Sequence, residues 1–541
     1  MENWKTHEVS NQTPPLGAYD LFAFDRVLQE AVEREGAGWA ASALHRAGTE
    51  LGAPELLELG RLANQHPPIL RAFDPLGIRI DQVEFHPAWH ELLRGIIRRG
   101  LHTGPWAEPR AGAHVARAAE YLMQSQVEAG SLCPTTMTYG SIPTLRGGPP
   151  SVQAWLPTLF SREHDPRDVP FASKRGGMIG MGMTEKQGGS DVRSNTTTAV
   201  PSGGGEVRLT GHKWFFSAPM SDAHLVLANS PGGLSCFFMP RFTPDGVKNP
   251  IHIQRLKDKV GNRSNASGEV EFRDAWGVLV GEEGRGVATI LEMGTYTRLD
   301  CTIGSAGGMR QALVQAIHHT THRQTFGKRL IDHPLMKNVL ADLALESEAA
   351  TALAMRLARA FDSGDAGEGA FRRVMTPAGK YWVCKRAPEF AAEAMEVLGG
   401  NGYVEEGVLG RLFREMPVNS IWEGSANVMC LDVLRALTKT PHALAVLVAE
   451  LEPARGRLRA YDQFLEELLR ELADTDRVEV RSRRLTQDLA LALQASLLVR
   501  FAPDFVAEAF CRSRLSQDWG ANFGTLPRDI DFDGILERAW P

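Results

Sequence analysis

Five short stretches carry residue types that can do chemistry. Met183-Thr184-Glu185-Lys186-Gln187-Gly188-Gly189-Ser190-Asp191 follows the apolar run Met178–Met183 and offers two glycines, two hydroxyls and several backbone N–H groups. Such a turn brings its backbone close to a phosphate or a planar heterocycle; its alternative is a polar β-turn. Gly211-His212-Lys213-Trp214-Phe215-Phe216-Ser217 could wall one face of a flat cofactor and hydrogen-bond its edge, or be an ordinary buried strand. Arg323-Gln324-Thr325-Phe326-Gly327 places an arginine able to fork onto a diphosphate just past a helical stretch, where the dipole also favours a basic residue. Leu398-Gly399-Gly400-Asn401-Gly402-Tyr403 reads by itself as a Gly-rich helix stop. In Asn419-Ser420-Ile421-Trp422-Glu423-Gly424-Ser425-Ala426-Asn427, Glu423 lies between Trp422 and Gly424 at the entrance to an apolar helix. A carboxylate against an aromatic ring can serve as a general base; its alternative is a helix N-terminal acid.

The elements that must position these residues fall in order along the chain. Residues 1–20 are polar and read as an arm. Helical spacing dominates from Leu21 to about Val127, and a Pro/Gly cluster predicts a loop over 134–150. Short apolar runs separated by turns between 177 and 284 predict an all-β domain of ~100 residues. Helical spacing resumes near 285, with segments at 305–322, 334–362, 375–398 and 425–437. Tyr461, Phe464, Leu465, Leu468, Leu469 and Leu472 form an amphipathic stripe in the last hundred residues. Helices, then strands, then helices make an α+β protein, not a βαβ alternation.

Composition excludes classes and identifies nothing. The 541 residues suggest three or four units at ~150 residues each. Hydrophobic residues are 43% and charged residues 23%, against disorder or a disulfide scaffold. No apolar run reaches the ~18–20 residues of a membrane helix, and the N-terminus lacks a signal-peptide pattern. Six dispersed cysteines read as reduced thiols of a cytoplasmic protein. His318 and His322 share a helix face beside His319, but no nearby carboxylate or Cys completes a set, so no metal is expected.

Together, in this order, the motifs resemble the acyl-CoA dehydrogenase family of flavoproteins, closest to its adaptive-response branch linked to DNA alkylation. The strings that carry the closer likeness are Glu-Gly-Ala-Gly-Trp (35–39), Val-Glu-Ala-Gly-Ser-Leu-Cys-Pro (127–134), the 182–191 motif, Arg-Leu-Lys-Asp-Lys (255–259), Gly-Asn-Arg-Ser-Asn-Ala-Ser (261–267) and 414–425. The resemblance implies an N-terminal helical domain (1–176), a middle β-barrel domain (177–284), a C-terminal four-helix bundle (285–440) and an extra helical domain (441–541). It implies noncovalent FAD, held by Met181, Gly182, Met183, Thr184, Gln187, Gly188, Gly189, Ser190, Trp214, Phe215, Phe216 and Ser217. Ile421, Trp422, Gly424, Ser425 and Asn427 would close the site, with Glu396 and Gly400 nearby in the family's pattern. Arg323 and Phe326 would touch the FAD of a neighbouring subunit, which implies a homo-oligomer, a tetramer built as a dimer of dimers. Glu423 matches the family's catalytic base, which takes the α-proton of an acyl-CoA thioester while the flavin accepts the β-hydride.

The chain departs from the general dehydrogenase pattern at Lys186 (usually Pro), Phe216 (usually Thr), Glu396 and Pro334 (both usually Gln). Bulkier side chains beside the flavin would narrow the pocket for a long acyl chain, so the expected dehydrogenase activity is weak or residual. Residues 441–541 hold thirteen Arg, no Lys and seventeen acidic residues. The arginines cluster at Arg455, Arg457 and Arg459; at Arg481, Arg483 and Arg484; and at Arg512 and Arg514. Read alone, these are helix-surface ion pairs with Glu466, Glu467, Glu471 and Asp488. The resemblance implies instead that this region, with Arg435, binds double-stranded DNA with little sequence preference, for protection or transcriptional regulation. The competing readings are a genuine short- or branched-chain (isovaleryl-CoA-like) dehydrogenase and a flavoprotein that detoxifies alkylating agents.

Overall fold

Two short strands, β1 (Ile69–Phe73) and β2 (Arg79–Glu84), make an antiparallel hairpin. The middle of the chain then forms β3 (Ile179–Gly182), β4 (Thr198–Gly203), β5 (Glu206–Ser217), β6 (Ala223–Ser230), β7 (Gly233–Pro240), β8 (Ile251–Leu256) and β9 (Ser267–Val280). The computed structural model describes residues 6–440, 442–516, 518 and 520–540. The sheet runs β3-β6-β4-β5-β9-β7, and β7 also pairs with β6, so the strands from β6 round to β7 close into a barrel. β3 lies parallel beside β6 and β8 flanks β9. Alternation along β6 shows why: Val226 and Ala228 point into the barrel, and Leu225 and Leu227 point out of it. The outward side chains pack against Cys133, Met137, Ile142 and Leu145 of one helix and Ile290 and Met293 of another. A strand with two buried faces needs two hydrophobic partners, and the helices supply the second.

The predicted loop over 134–150 is instead mostly the helix Leu132–Arg146. Its prolines are accommodated for separate reasons. Pro134 lies in the first turn, where no intrahelical N–H partner is required. Pro143 cannot bond the Tyr139 carbonyl, and the Trp106 indole N–H takes that carbonyl at 2.9 Å. Tertiary hydrogen bonding here overrides a composition that favours a turn.

The chain divides into two compact units, one of residues 55–304 with 418–428, the other of 1–54, 305–417 and 429–541. The first holds the barrel and its covering helices. The second is helical. Its long helices Pro334–Asp362, Ala366–Val397 and Val478–Phe501 pack on one another. The helices of 442–516 therefore share a core with 334–397. Arg514, wholly buried, meets Asp342 at 2.5 Å and Glu346 at 3.2 Å, and Arg386 reaches the same Glu346 at 3.3 Å. Burial disfavours the Arg514 charge, and the two carboxylates more than restore it. No helix among the described residues is long and apolar enough to cross a membrane.

Removing one partner of a buried pair strands the other. Arg514→Met is expected to cost about 3–5 kcal/mol. Denaturant unfolding followed by hydrogen exchange should show 334–397 destabilised together with 478–501. Loss of protection confined to 441–541 would mean that this segment folds separately.

Candidate flavin site

The site begins with an ion pair beneath the Gly-rich loop. Glu185 and Lys213 are both fully buried and 2.8 Å apart. The same carboxylate accepts the N–H groups of Thr196 (2.7 Å) and Thr197 (3.2 Å) and the Gln187 amide (2.8 Å). The Lys213 ammonium also donates to the Leu227 carbonyl at 2.8 Å. Burial alone would raise the Glu185 carboxyl; Lys213 and the amide donors outweigh it and bring it down to about 2. Burial lowers the Lys213 ammonium, and Glu185 opposes that. The pair thus fastens the loop after β3 to β5 and β6. A further bond, Trp214 N–H to the Thr184 carbonyl at 2.9 Å, completes the seam.

Above this anchor the loop is open. Glu185 and Gly188 close a turn through reciprocal backbone bonds. The following N–H groups of Gly189 and Ser190 take no acceptor among the described residues, and Gln187, Gly189 and Ser190 are exposed or half-exposed. Consecutive unpaired amides suit an anionic group such as a diphosphate. Thr184 and Met183 are half-buried beside them, and Met181 and Gly182 are buried in β3.

The pairing of β5 with β9 is interrupted between Lys213 and Phe216, so Trp214 and Phe215 lie in a bulge. Phe215 is exposed and Trp214 half-exposed, while Phe216 turns fully inward. Phe216 stacks on His224 with ring centres 4.0 Å apart and packs against Gly182, where a Cβ would meet its ring at 2.4 Å. Its expected place along the flavin is therefore corrected: it belongs to the barrel core, and it does not narrow a substrate pocket. Ser217, half-buried, keeps a hydroxyl near the surface.

Residues 418–428 belong to the same unit as the barrel. Trp422 packs against the cluster that holds Met181, Met183 and Met293, and its indole donates to Asn419 at 2.9 Å. Glu423 has φ +60, a left-handed backbone rare for a glutamate, and Gly424 follows at +101. Two neighbours in the helix Gly286–His322 hold it there. Thr297 Oγ1 donates to the carboxylate at 2.6 Å, and Arg298 Nε donates to the Glu423 carbonyl at 3.0 Å. Cys133 stands in the field of this carboxylate, beside the Asn265 carboxamide and the Ser217 hydroxyl. Burial chiefly pushes its thiol up to about 12, so it stays protonated. Ile421 and Asn427 are exposed; Gly424 and Ser425 are half-buried.

Sequence reasoning does not single out Thr297, Arg298, Cys133 or Asn265. Cys133 and Asn265 fall inside the strings 127–134 and 261–267, which is the signal that could have found them; Thr297 and Arg298 carry none. The remaining expected residues lie in the helical unit. Phe326 is 98% exposed at the tip of the hairpin β10 (Gln324–Thr325) and β11 (Lys328–Arg329), with φ +49. Arg323 donates to the Asn11 carbonyl, and Glu396 and Gly400 are exposed. His318 donates to the Pro14 carbonyl at 2.8 Å and His319 meets the Thr13 hydroxyl at 2.9 Å, so both tie down the N-terminal arm.

Lys213→Met should cost about 3–5 kcal/mol and weaken flavin retention, read as partial loss of the yellow cofactor on gel filtration at neutral pH. The pair also sets an acid limit. A depressed carboxyl stabilises fully above its ordinary value of 4.5, and that stability drains as pH falls toward about 2. Flavin retention should fall over that interval in the parent protein and at higher pH in Lys213→Met. Identical acid profiles would refute the anchor.

Three family models match the chain in order: the adaptive response protein AidB N-terminal domain over 11–166, the acyl-CoA dehydrogenase middle domain over 180–275 and the acyl-CoA dehydrogenase C-terminal domain over 284–438. The chain is 51% identical to the putative acyl-CoA dehydrogenase AidB of Escherichia coli over 540 residues, 99% of each chain. It is 31% identical to acyl-CoA dehydrogenase family member 11 of Caenorhabditis elegans, covering 82% of this chain and 74% of that one. The crystal structure of C. elegans ACDH-11 in complex with C11-CoA matches with a TM-score of 0.87 at 26% identity, over 94% of this chain and 93% of that one. FAD is the cofactor of this family, and the free amides of Gly189 and Ser190 and the flat Trp214 suit its diphosphate and its ring. With these matches spanning the helices, the barrel and the Glu423 loop alike, the chain belongs to the acyl-CoA dehydrogenase family, and its N-terminal domain is of the AidB type.

Proposed function

We propose that this chain is an FAD-containing protein of the DNA alkylation response that binds double-stranded DNA and keeps a proton acceptor, Glu423, for an acyl-CoA thioester. The observation that carries the chemical half is the Glu423 clamp. A loop carboxylate held in a left-handed backbone by Thr297 and Arg298 is positioned at some conformational cost, as a functional group is. The C11-CoA complex of ACDH-11 supports an acyl-CoA as the ligand class. FAD, when bound, supplies the two-electron acceptor. The protein's own part is to orient the thioester, exclude water with Trp422 and the methionines around it, and take the α-proton on the Glu423 carboxylate. Because Phe216 faces the barrel core, the expected narrowing of the pocket for a long acyl chain loses its support, and the reading as a working short- or branched-chain dehydrogenase stands beside the first.

The DNA half rests on the likeness to AidB together with the arginines that remain exposed. Arg435, Arg457, Arg459, Arg483 and Arg484 are exposed, whereas Arg512 is half-buried and forks onto Asp529 at 2.9 Å. Arg514 is withdrawn from that set because it is buried in its ion pairs. Arg455 pairs with Glu452 and Glu466, and Arg481 pairs with Glu471 and caps the Asp474 carbonyl, which makes both structural. The exposed Phe326 tip supports a tetramer in which that hairpin reaches a neighbouring subunit.

Anaerobic addition of a short acyl-CoA should bleach the flavin absorbance, and Glu423→Gln should keep the flavin but abolish bleaching. Thr297→Val removes a donor that stabilises the carboxylate, so the acid limb of the bleaching rate should move to higher pH, with Thr297→Ser restoring it. Flavin bleaching at the parent rate in Glu423→Gln would remove the base from Glu423.

Fluorescence anisotropy on duplex DNA should show affinity that falls steeply with salt. Substituting Arg459 and Arg484 by Ala should reduce the log–log salt slope by about one for each phosphate no longer neutralised. Deleting 441–541 is unsuitable as a test, because its helices share a core with 334–397. Absence of binding at low salt would defeat the DNA reading and leave the flavin chemistry untouched.

A further inference from the structure

The N-terminal end of β3 borders a cavity. Its volume is about 340 Å³, within the range of small-ligand sites. Gly177 and Met178 line it, whereas the Gly-rich loop leaves the other end of β3, ~13 Å away at ~3.3 Å per residue. None of the residues expected to hold FAD borders it.

Four rings gather on its wall. Phe85 and Trp89 stack with centres 3.8 Å apart, and Trp89 meets both His90 and His164 edge-on. His90 Nδ1 and His164 Nε2 share a hydrogen bond at 3.0 Å, with the rings stacked at 5.3 Å. That bond fixes what the pair presents outward, whichever ring donates. If His90 donates, its outer nitrogen is an acceptor and the outer nitrogen of His164 carries hydrogen; if His164 donates, the two exchange roles. Neither outer nitrogen has a hydrogen-bond partner among the described residues. The pair therefore always offers one donor and one acceptor. Burial holds both imidazoles below their usual range, His164 down to about 3, so both stay neutral near pH 7.

The charges around the cavity are already engaged with one another. Arg71 pairs with Glu84, Arg167 with Asp165, Lys174 with Asp222 and Arg241 with Asp168, at 2.6–3.1 Å. These pairs leave little net charge to favour a charged ligand. Recognition falls to the aromatic stack and to the donor–acceptor edge of the histidine pair.

We infer that this cavity is a second ligand site, separate from the flavin, for a small, flat, uncharged heteroaromatic molecule carrying an amide-like donor–acceptor edge. The ring lies against the Phe85–Trp89 stack, and the edge engages His90 and His164. The site is independent of the reading of Glu423 and of DNA binding.

Nicotinamide is a suitable probe, with benzoate as the comparator of similar size that is charged and lacks a donor. Calorimetric titration of the FAD-loaded protein should show saturable one-to-one binding of nicotinamide and none of benzoate, with the flavin spectrum unchanged. His164→Phe should weaken binding about tenfold or more, the loss of one or two net hydrogen bonds. In the parent protein, nitrogen-15 spectra of the histidines should move on titration, which needs no variant to fold. Charged groups facing the pair are Arg94 and Glu91 on its own helix and Lys174 and Asp165 opposite. Protonating the pair removes its acceptor, and because burial holds both imidazoles below their usual range, binding should persist through pH 6.5 and weaken only in more acid solution. No saturable binding, equal binding of benzoate, full affinity in His164→Phe, or displacement of the flavin would each overturn the inference.

Discussion

Glu185 and Lys213 form the interaction on which the Gly-rich-loop end of the barrel depends. One carboxylate, wholly removed from water, gathers the loop after β3, the approach to β4 and the middle of β5. Two buried charges carry a large desolvation cost, and only a complete set of partners offsets it. Lys213 has its second acceptor in Leu227, and Glu185 has backbone donors on both oxygens. Glu185 takes the amides of Thr196 and Thr197, while those of the exposed Gly189 and Ser190 meet no acceptor among the described residues.

The same division of labour appears in β5. A two-residue bulge turns Trp214 and Phe215 to the surface and sends Phe216 into the core. The Glu423 loop, in turn, is held by a hydroxyl and a guanidinium from a helix more than a hundred residues earlier. The strained φ of Glu423 persists because those contacts over-determine it. The barrel supplies a rigid floor, and the helix Gly286–His322 supplies the orientation of the carboxylate.

In the helical unit, charge serves the interior first. Arg514, Arg386 and Arg538 are each nearly buried on carboxylates of the helix Pro334–Asp362. The net charge of −6 says little about partners, since it averages buried pairs with exposed arginines. What a polyanion could meet is the smaller group that stays on the surface after these pairs have formed.

Hydrophobic period indicated the helix–strand–helix architecture; the short strings, through their resemblance to known proteins, gave the family and its FAD, and put Glu423 forward as a candidate base. Those features are local or are carried by short strings, so they survive without knowledge of distant partners. The same local evidence placed a loop at 134–150, because prolines and glycines signal turns unless a distant group such as the Trp106 indole takes the freed carbonyl. It set Phe216 beside the flavin, because spacing along a strand cannot reveal a bulge that reverses the facing of a side chain. It counted Arg514 with the surface arginines, because side-chain type does not disclose burial. Tertiary structure alone decided the Thr297–Arg298 hold on Glu423, the inward pairs of the last hundred residues and the His90–His164 cavity. Each depends on groups tens to hundreds of residues apart meeting within hydrogen-bond distance, and only the packed fold determines which of them do.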